Sequence, residues 1–442
     1  MFKYIFTLLF GFMLFAQEQP NSFTLSEAIA YAKKNNSQAI NANRDIALAK
    51  LKKWETTAMG LPQINAGIDY QNNLVIQKSV VPAEFFGGQP GTFQAVEFGT
   101  KHVGTGRATL SQLIFDGSYL VALQASKAYL EYFQNYKVKT DNDLTFDIVK
   151  SYSNILLLEE SIKILEKNKK TLDKNYFEAN ETYKNGFIEE ENVEQISITL
   201  STTQNQLKNN KRVRDIALNM LKIQMGMPLE NQIILADKLE DLATKQEILK
   251  NKESEFNKTA HIDYVIGLNN VEKNRLLVKL EKSKSLPTLS LSLNTGYNAF
   301  SNDFTFFNNT QQYFNFTNIG ASLNIPIFSS FARRSRTQQA KIEYDKSKDL
   351  LKDIDRMLTL EHQKLKSEFD FCIEELNTNK NNLKLAERIE NKQQIKFKEG
   401  LSTSFEFSEA QRQLYGAQQF YLQSLVNLVN KKAELDKLTN QQ

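Results

Sequence analysis

The chain repeats itself, and that limits its fold more than any other feature. Leu61-Pro62-Gln63-Ile64-Asn65-Ala66-Gly67-Ile68 returns as Leu286-Pro287-Thr288-Leu289-Ser290-Leu291-Ser292-Leu293, at an offset of 225. Ala108-Thr109-Leu110-Ser111 and the following Ile114-Phe115 return as Ala321-Ser322-Leu323-Asn324 and Ile327-Phe328, at an offset of 213. Tyr183-Lys184-Asn185-Gly186 returns as Phe397-Lys398-Glu399-Gly400, at an offset of 214. Three matches in one order mark a duplicated unit, so the fold is built from two copies of one supersecondary pattern. The drop of 12 between the first two offsets puts 12 extra residues in the first copy. Length changes concentrate in surface loops. Residues 73–100 and 301–314 are therefore expected to be loops at one end.

The repeated segments read as strands. Leu289, Leu291, Leu293 and Tyr297 alternate with Ser290, Ser292, Asn294 and Gly296, the period of a strand with one apolar and one polar face. Ile319, Ala321, Leu323, Ile325 and Ile327 alternate in the same way with Asn318, Gly320, Ser322 and Asn324. Repeat matching adds Ile64, Ala66, Ile68, Tyr70, Ala108, Leu110 and Ile114 to the apolar face, and Asn65, Asp69, Arg107, Thr109 and Ser111 to the polar one. Strands are expected near 61–73, 103–115, 286–299 and 315–328, each long enough to cross a bilayer at the usual tilt.

The N-terminus, MFKYIFTLLFGFMLFAQEQP, carries Lys3, then the apolar run Ile5–Phe15, then the small Ala16. Its length and flanks fit a signal peptide over 1–16 rather than a membrane span or a buried helix. No later run is apolar enough for a transmembrane helix. An exported chain of this kind can span a membrane only with strands in a closed barrel. One such strand alone would suit a soluble sandwich; four, joined mainly by helices, fit a barrel better. Four strands cannot close around water, so the chain must pool them with identical copies.

Between strand two and Gly186 lie about 70 residues without Pro, roughly 100 Å of helix at 1.5 Å per residue. Leu144, Ile148, Ser151, Ile155, Leu158, Ile162, Leu165, Lys169, Leu172, Tyr176, Ala179 and Tyr183 recur at alternating steps of four and three, a heptad seam. Leu358, His362, Leu365, Phe369, Cys372, Leu376, Asn379, Leu383 and Ala386 form the matching seam. His362 and Cys372 therefore read as packing residues rather than as ligand or nucleophile. The first repeat spans 17–226, with its long helix ending near 184 and the next starting near 190. An inter-repeat segment covers 227–257. The second repeat spans 258–442, with the corresponding breaks near 398 and 403.

Composition narrows the function. Charged residues make up 24% and the net charge is only +4, with basic residues scattered among acidic ones, so no nucleic-acid partner is implied. A single Cys excludes an internal disulfide framework, and His102, His261 and His362 are too far apart in sequence to suggest metal spacing. Gly104-Thr105-Gly106-Arg107 lacks the third Gly of a phosphate-binding turn and reads as strand. Glu189-Glu190-Glu191 can bind a cation but fits better a solvated helix start. The aromatic residues Phe304, Phe306, Phe307, Tyr313, Phe314 and Phe316 suit an outer loop and interfacial girdle better than a ligand site. No catalytic constellation, cofactor or metal site is expected.

Taken in order, these features resemble the TolC family of outer-membrane efflux proteins. The likeness rests on Leu25, Ala28, Ala32 and Asn36, on Leu-Pro before strands one and three, and on Phe115 and Phe328 ending strands two and four. It rests also on Tyr183/Gly186 and Phe397/Gly400 before the last helix of each half. The resemblance implies a fold that is mainly α with membrane β: a long antiparallel, coiled-coil-like helical barrel, with four strands per protomer forming a 12-stranded β-barrel in a homotrimer. It implies an outer-membrane exit duct with its helices in the periplasm, met at the helical tips by a periplasmic adaptor and an inner-membrane transporter.

On that reading Ile64, Ile68, Leu110, Leu289, Leu291, Leu293, Leu323 and Ile325 face lipid. Asn65, Asp69, Arg107, Ser290, Ser292 and Asn294 face the pore. Gly186 and Gly400 are the tip turns, with Ser402 or Ser404 as the following N-cap. In the family, acidic residues six and nine positions after the second Gly line the periplasmic entrance. Glu406 and Glu409 fit that spacing, and Phe397 joins them at the gate, whereas Asn192 and Gln195 in the first copy are neutral. Ser402 stands where an Arg can tie neighbouring tips, and Phe397 replaces a Tyr. A periplasmic coiled-coil scaffold or adaptor without a pore is the alternative.

Overall fold

A computed structural model describes residues 21–244 and 256–439. The signal peptide read at 1–16 and the middle of the inter-repeat segment lie outside the described residues. Two compact units divide the chain, and each draws on both repeats.

The sheet-bearing unit comprises residues 45–134 and 267–351. Its four main strands are β2 (Gln63–Asn72), β5 (His102–Asp116), β7 (Thr288–Ser301) and β8 (Tyr313–Asn324), antiparallel in the order β2-β5-β7-β8. Helices lead into the first strand of each pair: α2 (Ser37–Ala58) and α6 (Ile262–Ser283). The sheet is open, with β2 and β8 each paired on one side only.

Strand four stops at Asn324, short of the expected 328. Pro326 has no N–H for the ladder, so pairing ends before it. Ile325, Ile327 and Phe328 thus lie beyond the strand. A bulge interrupts β5 between Leu113 and Phe115. Ile114 is the extra residue there, which removes it from the alternation. The expected loop at 73–100 is also corrected. It contains a hairpin of β3 (Lys78–Pro82) and β4 (Phe93–Glu97), joined through the short 3-10 turn Ala83–Phe86.

The helical unit comprises residues up to 44, 135–266 and from 352 onward. It holds β1 (Asn21–Phe23), α1 (Leu25–Asn35), α4 (Glu190–Met225), β6 (Ile233–Leu235), α5 (Leu239–Thr244) and α8 (Ser404–Thr439). It also takes most of α3 (Gly117–Lys184) and α7 (Ala332–Lys398).

The α7 seam packs along its length. Leu358, Leu365, Phe369, Cys372 and Ala386 are buried, and His362, Leu376, Asn379 and Leu383 are half-buried. His362 stacks on Phe256 at 4.6 Å, and burial lowers its pKa. Burial likewise raises the Cys372 thiol, which is what a packing residue rather than a nucleophile requires. On α3, Leu144, Ile148, Ile155, Ile162, Leu165, Leu172 and Ala179 are buried, whereas Ser151 and Lys169 are only half-buried. Tyr152, one position beside the seam, is fully buried.

Tyr152 ties the N-terminus into this core. Its hydroxyl donates to Phe23 O at 2.8 Å and lies 3.0 Å from Asp237 Oδ2, which also accepts from Leu25 N at 2.7 Å. β1 then pairs in parallel with β6. Thr24 caps α1 in a reciprocal box with Glu27. Neither strand has enough residues to show a period in the sequence.

Candidate functional site

Cross-strand partners in an antiparallel ladder share a face. The register pairs Ile64 with Leu110, Leu110 with Leu293, Leu293 with Ile319, and Leu289 with Leu323. Ile68 and Leu291 fall in the same rows as Gly106 and Ala321. One face is thus apolar across all four strands, and much of it is bare. Ile68 is 90% exposed and Ile319 81%.

The opposite face is a polar ladder. Thr109 Oγ1 donates to Asn294 Oδ1 at 2.7 Å, and Asn294 Nδ2 donates to Asn318 Oδ1 at 3.1 Å. Thr105 donates to Asn298 in the same way at 2.9 Å. Ser290 lies opposite Ser322, and Ser292 opposite Ser111 and Gly320. Asn65 is paired with Thr109 and therefore shares this face. Arg107 and Asp69 form an exposed ion pair at 3.3 Å; water screens such a pair, so it stabilises little.

The aromatic stretch, expected as one girdle, is split. Phe304 and Phe306 pack edge-on against Tyr70 at 5.7 and 5.6 Å, on the apolar side, where Tyr70 also hydrogen-bonds His102 Nδ1. Phe314 and Phe316 fall on the polar side, opposite Asn298 and Gly296. Strand parity alone puts them there, and the alternation could have revealed it.

The second set of predicted residues lies at the helical tip. Gly186 and Gly400 both adopt left-handed backbone, at φ 76° and 70°. Each closes its long helix with paired bonds: Gly186 N to Tyr183 O and Phe187 N to Thr182 O, then Gly400 N to Phe397 O and Leu401 N to Lys396 O. This glycine-terminated motif satisfies the last carbonyls of a helix and needs positive φ.

α8 is capped by Thr403, which corrects the expected Ser402 or Ser404. Thr403 Oγ1 accepts from Glu406 N, and Glu406 Oε2 accepts from Thr403 N at 3.0 Å. Ser402 does not cap the helix; its hydroxyl donates to the same Glu406 oxygen at 2.8 Å. These donors, Ser402 foremost, hold the Glu406 carboxyl below the usual range. Glu406 is thereby committed to its own helix start. Glu409 is paired with Arg412 and also accepts from Gln413. Phe397 stacks on the buried Phe407 at 5.2 Å, which makes it part of the tip's packing. Both the Thr403/Glu406 box and the Glu409/Arg412 step were readable in the sequence by spacing.

In the first copy Glu189 is the N-cap residue, and Glu190 and Glu191 lie in the first turn of α4. The positive end of the helix dipole accounts for all three acids. Deeper in the unit the packing turns polar: Asn168, Asn175, Glu390 and Gln411 are all buried. Burial raises the Glu390 carboxyl, while nearby Gln411 and Lys167 oppose that shift. A groove of about 820 Å³ lies among α3, α4 and α8, lined in part by Asn168, Gln195, Thr199, Gln206, Glu409 and Arg412.

Among the described residues no cluster of His, Cys, Asp or Glu is placed to hold a metal, and no helix is long and apolar enough to cross a membrane. What the site offers is surface: a sheet with one apolar and one polar face, and a hairpin tip bearing partly neutralised acids.

A family model described as outer membrane efflux protein matches residues 269–441. Solved structures share the fold over nearly the whole chain. The outer membrane protein VceC from Vibrio cholerae aligns at TM-score 0.73 and 14% identity, covering 94% of this chain and 95% of that one. The Campylobacter jejuni CmeC outer membrane channel aligns at 0.74 and 16%, covering 94% and 85%. The open state of the Neisseria gonorrhoeae MtrE outer membrane channel aligns at 0.67 and 14%, covering 94% and 88%. No curated protein matches.

Proposed function

We propose that the chain belongs to the TolC family of outer-membrane efflux proteins, in keeping with the family model that matches residues 269–441, and that three copies form one exit duct through the outer membrane. Each copy contributes its four strands to a shared barrel, and the helices continue the duct into the periplasm. One observation carries this reading. The four-stranded sheet has an apolar face, a polar face and two open edges. An apolar face needs lipid or protein, and exposed edges need strands. Joining β8 of one copy to β2 of the next satisfies both.

In that assembly Ile64, Ile68, Leu110, Leu289, Leu291, Leu293 and Leu323 face lipid, with Ile325 just beyond the strand end. Asn65, Asp69, Arg107, Ser290, Ser292 and Asn294 line water. The protein makes and breaks no bonds. It supplies a polar conduit from an inner-membrane transporter and periplasmic adaptor that meet it at the tips near Gly186 and Gly400. The leader at 1–16 directs export. Cross-linking and mass measurement in detergent should give three copies per particle. A stable, membrane-inserted monomer would overturn the proposal, and a chain soluble without detergent would support the scaffold reading instead.

The tip carries a second expected result. Glu406 and Glu409 contribute six carboxylates to the entrance of a trimer, offset in part by Arg412. Like charges held close attract cations. Glu406→Gln with Glu409→Gln is a clean test because Gln also completes a capping box. In planar bilayers the double variant should show weaker cation selectivity and weaker block by multivalent cations added on the periplasmic side. Unchanged selectivity and block would show that these carboxylates serve only the helix start.

A further inference from the structure

The residues added to the first repeat build the β3–β4 hairpin, and the hairpin is under-packed. Among the described residues its strands pair with each other and with no third strand. A lone two-stranded hairpin is marginally stable in water and needs a surface to lie on. The register sets Val80 opposite Ala95 and Pro82 opposite Phe93, so these four share one face. That face is bare, with Phe93 72% and Val80 67% exposed. Phe85, at the turn, is 80% exposed.

Topology says what comes next to it. The hairpin leaves the sheet from the end of β2, one open edge. The β7–β8 loop leaves from the same end, beside β8, the other open edge. Within the protomer that loop is only partly covered. Phe304 and Phe306 pack on Tyr70, whereas Phe307 remains 89% exposed. If copies join edge to edge, β2 of one lies about 5 Å from β8 of the next. The bare hairpin face and the bare Phe307 ring then become neighbours.

We propose that the β3–β4 hairpin of each copy lies against the β7–β8 loop of the adjacent copy, its Val80–Phe93 face covering Phe307. Three such contacts make an apolar collar at the outer mouth. The occupant is a second copy of this chain rather than lipid, because the two bare surfaces flank the two edges that must meet. The inference rests on the trimeric reading above.

The test places a benzophenone amino acid at Phe93 of the full chain in membranes. Ultraviolet light should produce bands at two and three chain masses on a denaturing gel. Peptide mapping should find the attachment within 302–314 of another copy. Adducts to lipid alone, or within one chain alone, from particles whose detergent mass is still three copies, would overturn the collar and leave the trimer standing. One copy per particle would overturn both. As a second arm, Phe93→Asp should speed dissociation of the detergent-solubilised trimer roughly tenfold, the order expected for a charge placed at a packed interface, while Phe93→Leu should not. Equal dissociation of Phe93→Asp and wild type would also overturn the contact.

Discussion

Leu291→Arg is expected to remove assembled channel from the outer membrane, whereas Ser292→Arg should assemble and alter conductance. Leu291 shares its face with the neighbouring Leu289 and Leu293 and pairs with Ala321. Leu291 is the fourth residue of β7, toward the helix-side end of the strand, and an Arg on the lipid face costs about 2–4 kcal/mol at the bilayer midplane and less toward the interface. Three copies multiply that cost within one trimer. Ser292 lies one residue away on the other face, opposite Ser111 and Gly320, where an Arg reaches water. Trimer recovered from outer-membrane fractions at equal expression measures the first effect, and single-channel recording measures the second. Equal assembly of the two variants, or the reverse order, would mean that lipid and water are assigned to the wrong faces.

Gly226→Ala should be the most damaging of the glycine-to-alanine changes in the helical unit. Gly226 ends α4 at φ 73°, and a Cβ there would lie 2.2 Å from Asn35 O and 2.6 Å from Asn35 C. Those are backbone atoms at the end of α1, held in place by Asn36 Nδ2 donating to Gln224 O at 2.7 Å. Left-handed backbone for Ala costs about 1–2 kcal/mol, and forcing apart a packed contact adds about 1–3 kcal/mol. Gly186 and Gly400 have the same left-handed backbone but nothing within 4 Å of the added carbon. Gly186→Ala and Gly400→Ala should therefore cost only about 1–2 kcal/mol each. Denaturant unfolding followed by helical circular dichroism separates the three. If Gly226→Ala matches the other two, the α1–α4 junction yields rather than resists.

The three glycines also show where sequence reasoning stops. Gly186 and Gly400 stand out because the repeat pairs them and each ends a long heptad pattern. Gly226 has no partner in the repeat, and its constraint comes from Asn35, far away along the chain. The same division runs through the rest of the molecule. The alternation over Leu289–Tyr297 and the seam from Leu358 to Ala386 are local periods. Each is written into the side chains that must face one way, so strands, helices and the shared faces of the strands were legible in the sequence. Proline and capping signals could have refined it further: Pro326 ends β8, and Thr403 with Glu406 starts α8.

Other features had no local sign. Which apolar residues meet depends on strand register, and register places Leu293 between Leu110 and Ile319, from three distant segments. The β1–β6 pairing and the Tyr152–Asp237 clamp bring together short segments with no period to read. The inserted residues after β2 read as loop length, yet Lys78–Pro82 and Phe93–Glu97 pair as a hairpin across a short turn. Local periodicity reports what each residue prefers to face. Contacts between distant segments depend on which surfaces are left uncovered once the chain has folded back on itself, and that appears only in three dimensions.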